Sequence, residues 1–131
     1  MNKKAIICID DEPIILESLK EQLLKEFGYE YIYEGAESAE EGLEIIQEFI
    51  EDKIEIVIIV SDWLMPGIKG DKFLIEAHKL VPDAVKVLLT GQAREDSIED
   101  IRINIDNFKL IQKPWTKEEL LKTLNSSLKN E

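Results

Sequence analysis

The stretch Ile54-Glu55-Ile56-Val57-Ile58-Ile59-Val60-Ser61-Asp62 decides the fold. It is almost unbroken in its apolar character and rich in β-branched residues, whose stiff side chains favour extended backbone. A strand of this kind offers no polar face to water, so it belongs in the middle of a parallel sheet with helices on both sides. It ends on an acid, Asp62.

Working outward, four further apolar, β-branched runs alternate with amphipathic stretches, the pattern of β/α units around a parallel sheet. The strands are expected at about 4–9, 30–34, 55–61, 84–90 and 108–112, with helices between them. The first helix opens at Pro13, a residue tolerated in a first turn, and runs to Phe27 before Gly28, with Ile15, Leu19, Leu23 and Phe27 on one face. The second starts near Ser38, where Glu41 completes a capping box, and is expected to bury Leu43, Ile46 and Ile50. The third covers about Gly70 to Leu80 and stops before Pro82; the fourth covers about Glu95 to Ile103. Thr116 with Glu119 is a second capping box and opens the fifth.

The 131 residues suit one domain, 1–131, with no repeat or linker. A net charge of −12, from 28 acids against 16 Lys and Arg, repels nucleic acid in the absence of a strong basic patch, so direct DNA binding is not expected. The apolar runs are far short of a membrane span, and the one behind Met1-Asn2-Lys3-Lys4 breaks at Asp10, too soon for a signal-peptide core, so a cytoplasmic location is expected. The single cysteine, Cys8, excludes an internal disulfide and a thiol zinc cluster, and reads as a small buried hydrophobe.

Ligands of open parallel sheets bind beyond the carboxyl ends of the strands. There the sequence places Asp10, Asp11 and Glu12 after the first strand, Asp62 after the third, Thr90-Gly91 after the fourth and Lys113-Pro114 after the fifth. Gathered carboxylates raise the free energy of one another's ionised forms unless a cation neutralises them, which points to a hard divalent ion such as Mg2+. The set suits phosphoryl transfer to a carboxylate: a metal on one equatorial oxygen, Lys113 on a second, the Thr90 hydroxyl on a third.

The pieces Cys8-Ile9-Asp10-Asp11-Glu12-Pro13, Ser61-Asp62-Trp63-Leu64-Met65-Pro66-Gly67 with Gly70, Leu88-Leu89-Thr90-Gly91 and Lys113-Pro114-Trp115, in that order, resemble the receiver domain of two-component response regulators, including the chemotaxis regulator. The resemblance implies a flavodoxin-like doubly wound sheet of five strands, order 2-1-3-4-5, with five helices on both faces. It implies that Asp62 accepts a phosphoryl group from a partner histidine kinase or phosphotransfer protein. Asp10, Asp11, Asp62 and the Leu64 backbone carbonyl then organise Mg2+, and Thr90 and Lys113 contact the phosphoryl oxygens. Phosphorylation switches a protein-binding surface built by helix four, strand five and helix five, read by an output protein or fused output domain. A homodimer through that face is compatible with it. The implied role is a phospho-accepting signalling domain that only phosphorylates and slowly dephosphorylates itself.

One position departs from the family pattern. Receivers usually carry a switch Tyr or Phe three residues before the lysine, and here Leu110 stands there, with Phe108 on the same face of the strand by alternation. The competing functions are a degenerate receiver that binds partners without phosphorylation, favoured by Leu110, and an aspartate-nucleophile phosphohydrolase, disfavoured by the adjacent Asp10-Asp11 pair. Glu12 reads mainly as a favourable charge at a helix start, His78 as a surface residue, Trp63 as a partial cover of the site, and Trp115 as packing. The chain stops soon after the fifth helix, so output is expected either by docking or from a longer protein.

Overall fold

The computed structural model describes residues 3–65, 67–91, 95–112 and 116–129. Five strands, β1 (Lys4–Ile9), β2 (Tyr31–Ala36), β3 (Glu55–Asp62), β4 (Val85–Thr90) and β5 (Phe108–Gln112), alternate with α1 (Pro13–Phe27), α2 (Ala39–Glu51), α3 (Gly70–Leu80), α4 (Glu95–Asn104) and α5 (Lys117–Lys129). All the strand pairs are parallel, in the order 2-1-3-4-5. This is the expected doubly wound, flavodoxin-like sheet.

The sheet separates two apolar layers. Leu16, Leu19 and Leu23 of α1 and Leu120 and Leu124 of α5 pack with Ile6, Cys8, Val60 and Val87 on one face. Ile46 of α2, Phe73, Leu74 and Ala77 of α3 and Ile101 of α4 pack with Ile7, Ile9, Ile59 and Leu88 on the other. Each large aliphatic side chain withdrawn from water here contributes roughly 1.5–3 kcal/mol, and β3 supplies both layers, as its sequence requires.

The alternation along β3 is interrupted. Ala5 pairs with Ile56 but Ile6 pairs with Ile58, leaving Val57 as an extra residue, and Val57 and Ile58 fall in the same apolar layer. A one-residue bulge resets which face every later side chain takes. The direction in which Asp62 projects therefore depends on Val57, a relation that apolar composition alone does not encode.

Capping follows the sequence closely. Ser38 accepts a hydrogen bond from the Glu41 backbone N–H at 3.1 Å, and Thr116 accepts one from that of Glu119 at 3.0 Å. Two expectations need correction. Residues Gly28–Glu30 form a 3-10 turn, so β2 starts at Tyr31 and extends to Ala36, beyond Glu34 and Gly35, which carry no strand signal of their own. The apolar face of α2 is rotated: Ala39, Gly42 and Ile46 are buried, Leu43 is half-buried and Ile50 is 43% exposed, because Gly42 brings the helix close to Phe73 and Ile9.

Candidate functional site

The register of the sheet assembles the site. Ile9 is level with Ser61 across the β1–β3 pair, so the next residues, Asp10 and Asp62, emerge side by side from adjacent strands. One carboxylate oxygen from each of Asp10, Asp11 and Asp62 lies within 4.8 Å of the others. Asp10 and Asp62 are buried, at 1% and 6% exposure, and Asp11 is the solvent-facing member. Asp10 is oriented by the Glu12 backbone N–H, which donates to its Oδ1 at 2.9 Å, while its own N–H donates to the Ala36 carbonyl at 3.1 Å.

The loop after Asp62 is fixed by backbone contacts. The Trp63 N–H donates to the Leu89 carbonyl, and the Gly70 N–H to the Trp63 carbonyl, both at 3.0 Å. A Cβ on Gly70 would overlap the Asp62 carbonyl oxygen and fall 2.8 Å from the Trp63 Cα, so only glycine lets α3 begin this close to the end of β3. Gly67 takes φ +78°, the positive value expected for the turn. Ser61 donates its hydroxyl to the Asp62 carbonyl at 2.9 Å within the buried strand end.

The other candidates fall around this centre. Thr90 is buried at 3% exposure at the end of β4, one residue past Leu89, the register partner of Asp62. Leu64 follows Asp62 by two residues, with its side chain 64% exposed. Glu12 is exposed at the start of α1 and makes no side-chain cap. Phe108 and Leu110 are half-buried and both pack against the α2–α3–α4 layer, so they share a face of β5 as alternation predicts. Trp63 packs against the same layer, and its indole N–H is buried with no acceptor among the described residues. Lys113, Pro114, Trp115 and Pro66 lie outside the described residues.

Three oxygen donors this close, two of them buried, fit a hard divalent cation: the donors are carboxylates, and a cation among them offsets their mutual repulsion. Cys8 is no competitor for a metal, because complete burial pushes its thiol up to about 12 and keeps it neutral.

The opposite end of the sheet holds a cluster that sequence reasoning missed. Lys86, in β4, is fully buried. Its ammonium donates to the carbonyls of Val81 and Pro82 at 2.7 and 3.2 Å and meets His78 Nδ1 at 2.9 Å. His78 is thus half-buried and engaged rather than a surface residue. The available signal was a lysine inside the run Val85-Lys86-Val87-Leu88, which has no polar face to receive it.

A parallel sheet of this order, with acids converging at its carboxyl edge, defines a receiver-like α/β domain. The family model described as the response regulator receiver domain matches residues 6–125, and the chain belongs to that family, a signalling domain of two-component systems. It is similar to a CheY-like response regulator receiver domain protein from Methanospirillum hungatei JF-1, with a TM-score of 0.81 and 30% identity over 97% of this chain and 94% of that one. It is also similar to a receiver domain protein from Clostridium thermocellum, with a TM-score of 0.80 and 29% identity over 97% of this chain and 95% of that one. Among curated relatives, the transcriptional regulatory protein YvrH of Bacillus subtilis is 29% identical over 98% of this chain and 51% of its own length. The hydrogenase transcriptional regulatory protein HoxA of Cupriavidus necator is 26% identical over 94% of this chain and 24% of its own length. The chain therefore spans about a quarter to a half of the curated relatives it matches. Among the described residues, no helix is long and apolar enough to cross a membrane.

Proposed function

We propose that this receiver is a phosphorylation switch in which Asp62 takes a phosphoryl group from a phosphohistidine of a partner kinase or phosphotransfer protein. The observation that carries this reading is the convergence of Asp10, Asp11 and Asp62 within 4.8 Å at the carboxyl edge of the sheet. In the reaction an Asp62 carboxylate oxygen attacks phosphorus in line, the P–N bond breaks, and its electron pair returns to the histidine ring.

This reading gives the chain's residues the following roles. Asp62 is held at the end of a rigid central strand, and the backbone contacts of Trp63 and Gly70 fix the loop that follows it. Asp10, Asp11 and the Leu64 carbonyl, with Asp62 itself, would hold Mg2+. That ion, when bound, neutralises charge on the transferring group. The Thr90 hydroxyl donates to a phosphoryl oxygen, and Lys113 supplies a cation to another.

Movement of Thr90 toward the phosphoryl group is read out on the α4–β5–α5 surface. Leu88 is the register partner of Leu110, and Thr90 that of Gln112, so displacement at the end of β4 is felt on β5. Leu110 and Phe108 together stand where one aromatic usually serves. The whole chain acts as one receiver domain within the cell interior, with its output on a partner or a fused domain. A second reading, phosphorylation-independent binding, is favoured by Leu110 at the switch position.

The two separate cleanly. Incubation with acetyl phosphate and Mg2+ is expected to add one phosphoryl mass in intact-protein mass spectrometry, and Asp62→Asn to abolish the gain. Beryllofluoride with Mg2+ is expected to shift amide resonances around Asp62 and along β5. Failure of both in a folded protein overturns the switch and leaves the binding module.

A further inference from the structure

β2 and β5 are the two edges of the sheet, and they are guarded differently. β5 carries the exposed Lys109, a residue type that keeps sheet edges from pairing with other chains. β2, Tyr31-Ile32-Tyr33-Glu34-Gly35-Ala36, has neither lysine nor proline, and its register with β1 runs without a bulge. Its outer backbone is open. The Ala36 carbonyl accepts from the Asp10 N–H at 3.1 Å and so points toward β1. The N–H and C=O of one strand residue point to the same side, and the side alternates along the chain, so those of Gly35 and Tyr33 point away from the sheet. Neither residue bonds to backbone in a loop or turn among the described residues.

The side chains beside this edge are aromatic and acidic. Phe27 and Tyr31 meet edge to face with ring centroids 6.2 Å apart, and Tyr33 lies 6.5 Å from Tyr31 with its hydroxyl donated to the Gly28 carbonyl at 2.7 Å. These three rings are half-buried, and Tyr29, just before the strand, is 91% exposed. Residues 26–52, which span β2 and α2, hold ten acids and no Lys or Arg; the rest of the chain, with 18 acids and 16 Lys and Arg, is close to neutral. None of the ten acids is in an ion pair among the described residues. The cations at hand are few: Lys4 is level with Tyr31 but on β1, and Lys20, whose stem lies beside Gly35, is already paired with Glu17 at 3.7 Å.

We propose that β2 takes an extended segment of another protein, rich in Lys and Arg, as a further strand of the sheet. The outward backbone groups of Tyr33 and Gly35 supply the hydrogen bonds. Alternation then sends the segment's side chains by turns to the Tyr31 and Tyr33 side, where a guanidinium stacks on a ring, and to the Glu34 side, where it meets carboxylates. The charge selects the occupant: an acidic segment finds the same open backbone but is repelled by the unit that carries nearly all the net charge. A second copy of this chain is repelled for the same reason, so the acids protect β2 from self-pairing as Lys109 protects β5. The proposal stands apart from the phosphorylation switch, because β2 forms no part of the α4–β5–α5 face.

The test uses the intact chain and three fluorescein-labelled synthetic peptides of equal length: one of alternating Arg and Val, one of alternating Glu and Val, and the Arg/Val peptide N-methylated at alternate residues, which keeps its charge but removes strand donors. In fluorescence anisotropy the Arg/Val peptide is expected to bind in a salt-sensitive way, the Glu/Val peptide not at all, and the N-methylated one about tenfold more weakly or less. Amide hydrogen exchange followed by NMR is expected to slow at Tyr33 and Gly35 when the Arg/Val peptide binds. Glu30→Lys combined with Glu34→Lys is expected to weaken binding about tenfold or more, circular dichroism confirming the fold, and Glu37→Lys, outside the strand, to weaken it less.

Equal binding of the Arg/Val and Glu/Val peptides, or indifference to charge reversal, overturns the proposal. Binding of the N-methylated peptide as tight as that of its parent, with exchange at Tyr33 and Gly35 unchanged, overturns strand addition and leaves only attraction between charges. A homodimer in analytical ultracentrifugation that protects the same two amides without peptide overturns it in favour of a second copy.

Discussion

The two ends of the sheet handle buried charge in opposite ways. At the edge away from the acids, Lys86 is fully buried and its ammonium is ringed by two carbonyls and an imidazole nitrogen. At the carboxyl edge, three groups of like sign converge within 4.8 Å. One arrangement is complete with the chain's own atoms. At the other we propose that a divalent cation from outside offsets the repulsion of like charges, which would separate a ligand site from a structural cluster.

The sharpest way to break the comparison is to remove the self-contained cluster. Lys86→Ala leaves a cavity and strips the donor from Val81 and Pro82, and is expected to cost about 4 kcal/mol in denaturant unfolding, with phosphoryl uptake by Asp62 preserved in whatever fraction stays folded. A loss below about 1 kcal/mol would mean that the ring of acceptors is not holding the charge.

At the acidic edge, the strongest structural effect is expected from Gly70→Ala. The added methyl overlaps the Asp62 carbonyl and crowds the Trp63 Cα, so stability is expected to fall by about 3 kcal/mol, with slower phosphorylation by acetyl phosphate because the loop after Asp62 must shift. Unchanged kinetics would show that the loop has freedom the packing does not suggest.

A smaller effect, of the other sign, distinguishes a ligand site from a scaffold. Asp10→Asn keeps an oxygen to accept from the Glu12 N–H and removes one of three like charges. In EDTA it is expected to stabilise the protein by about 1 kcal/mol, and Mg2+ is expected to raise the Tm of the wild type but not of this variant. Destabilisation in EDTA would place Asp10 among the structural charges, beside Lys86.

How much of this was legible beforehand differs between the same two ends. That Asp10, Asp11 and Asp62 gather at one edge, with Thr90 at the end of β4, could be anticipated because they stand at or just after the ends of apolar runs, and strand ends of a parallel sheet converge whatever their exact register. Lys86 could not, because a lysine in mid-strand reads as noise until the fold shows carbonyls waiting for it at the α3–β4 turn. The bulge at Val57 was invisible for a similar reason: Ile56-Val57-Ile58-Ile59 is uniformly apolar, so a change of face leaves no trace in the pattern. The rotated face of α2 belongs with these, since Gly42 is buried for lack of a side chain and hydrophobic periodicity does not count it.

The subtlest expected effect is the pH dependence that the buried lysine imposes. Burial lowers the Lys86 pKa from 10.5 to about 8, against the opposing pull of the Asp106 and Asp83 carboxylates. Between those values the unfolded chain holds a proton that the folded one has lost, so this group makes stability rise with pH across the window. His78 is lowered from 6.5 by its own burial and by Lys86, Asp106 opposing; acidification below that value therefore charges the unfolded state first and destabilises the fold. Cys8 acts in reverse, because its thiol is raised from 9.0 to about 12 and the unfolded chain ionises first as pH rises. Its effect overlaps the upper part of the lysine window. The difference in Tm between wild type and Lys86→Met cancels the Cys8 contribution, which both share. That difference is expected to shift in favour of the wild type as pH rises from about 8 to 10.5, and a flat difference would mean that the carbonyls of Val81 and Pro82 hold the ammonium charged throughout.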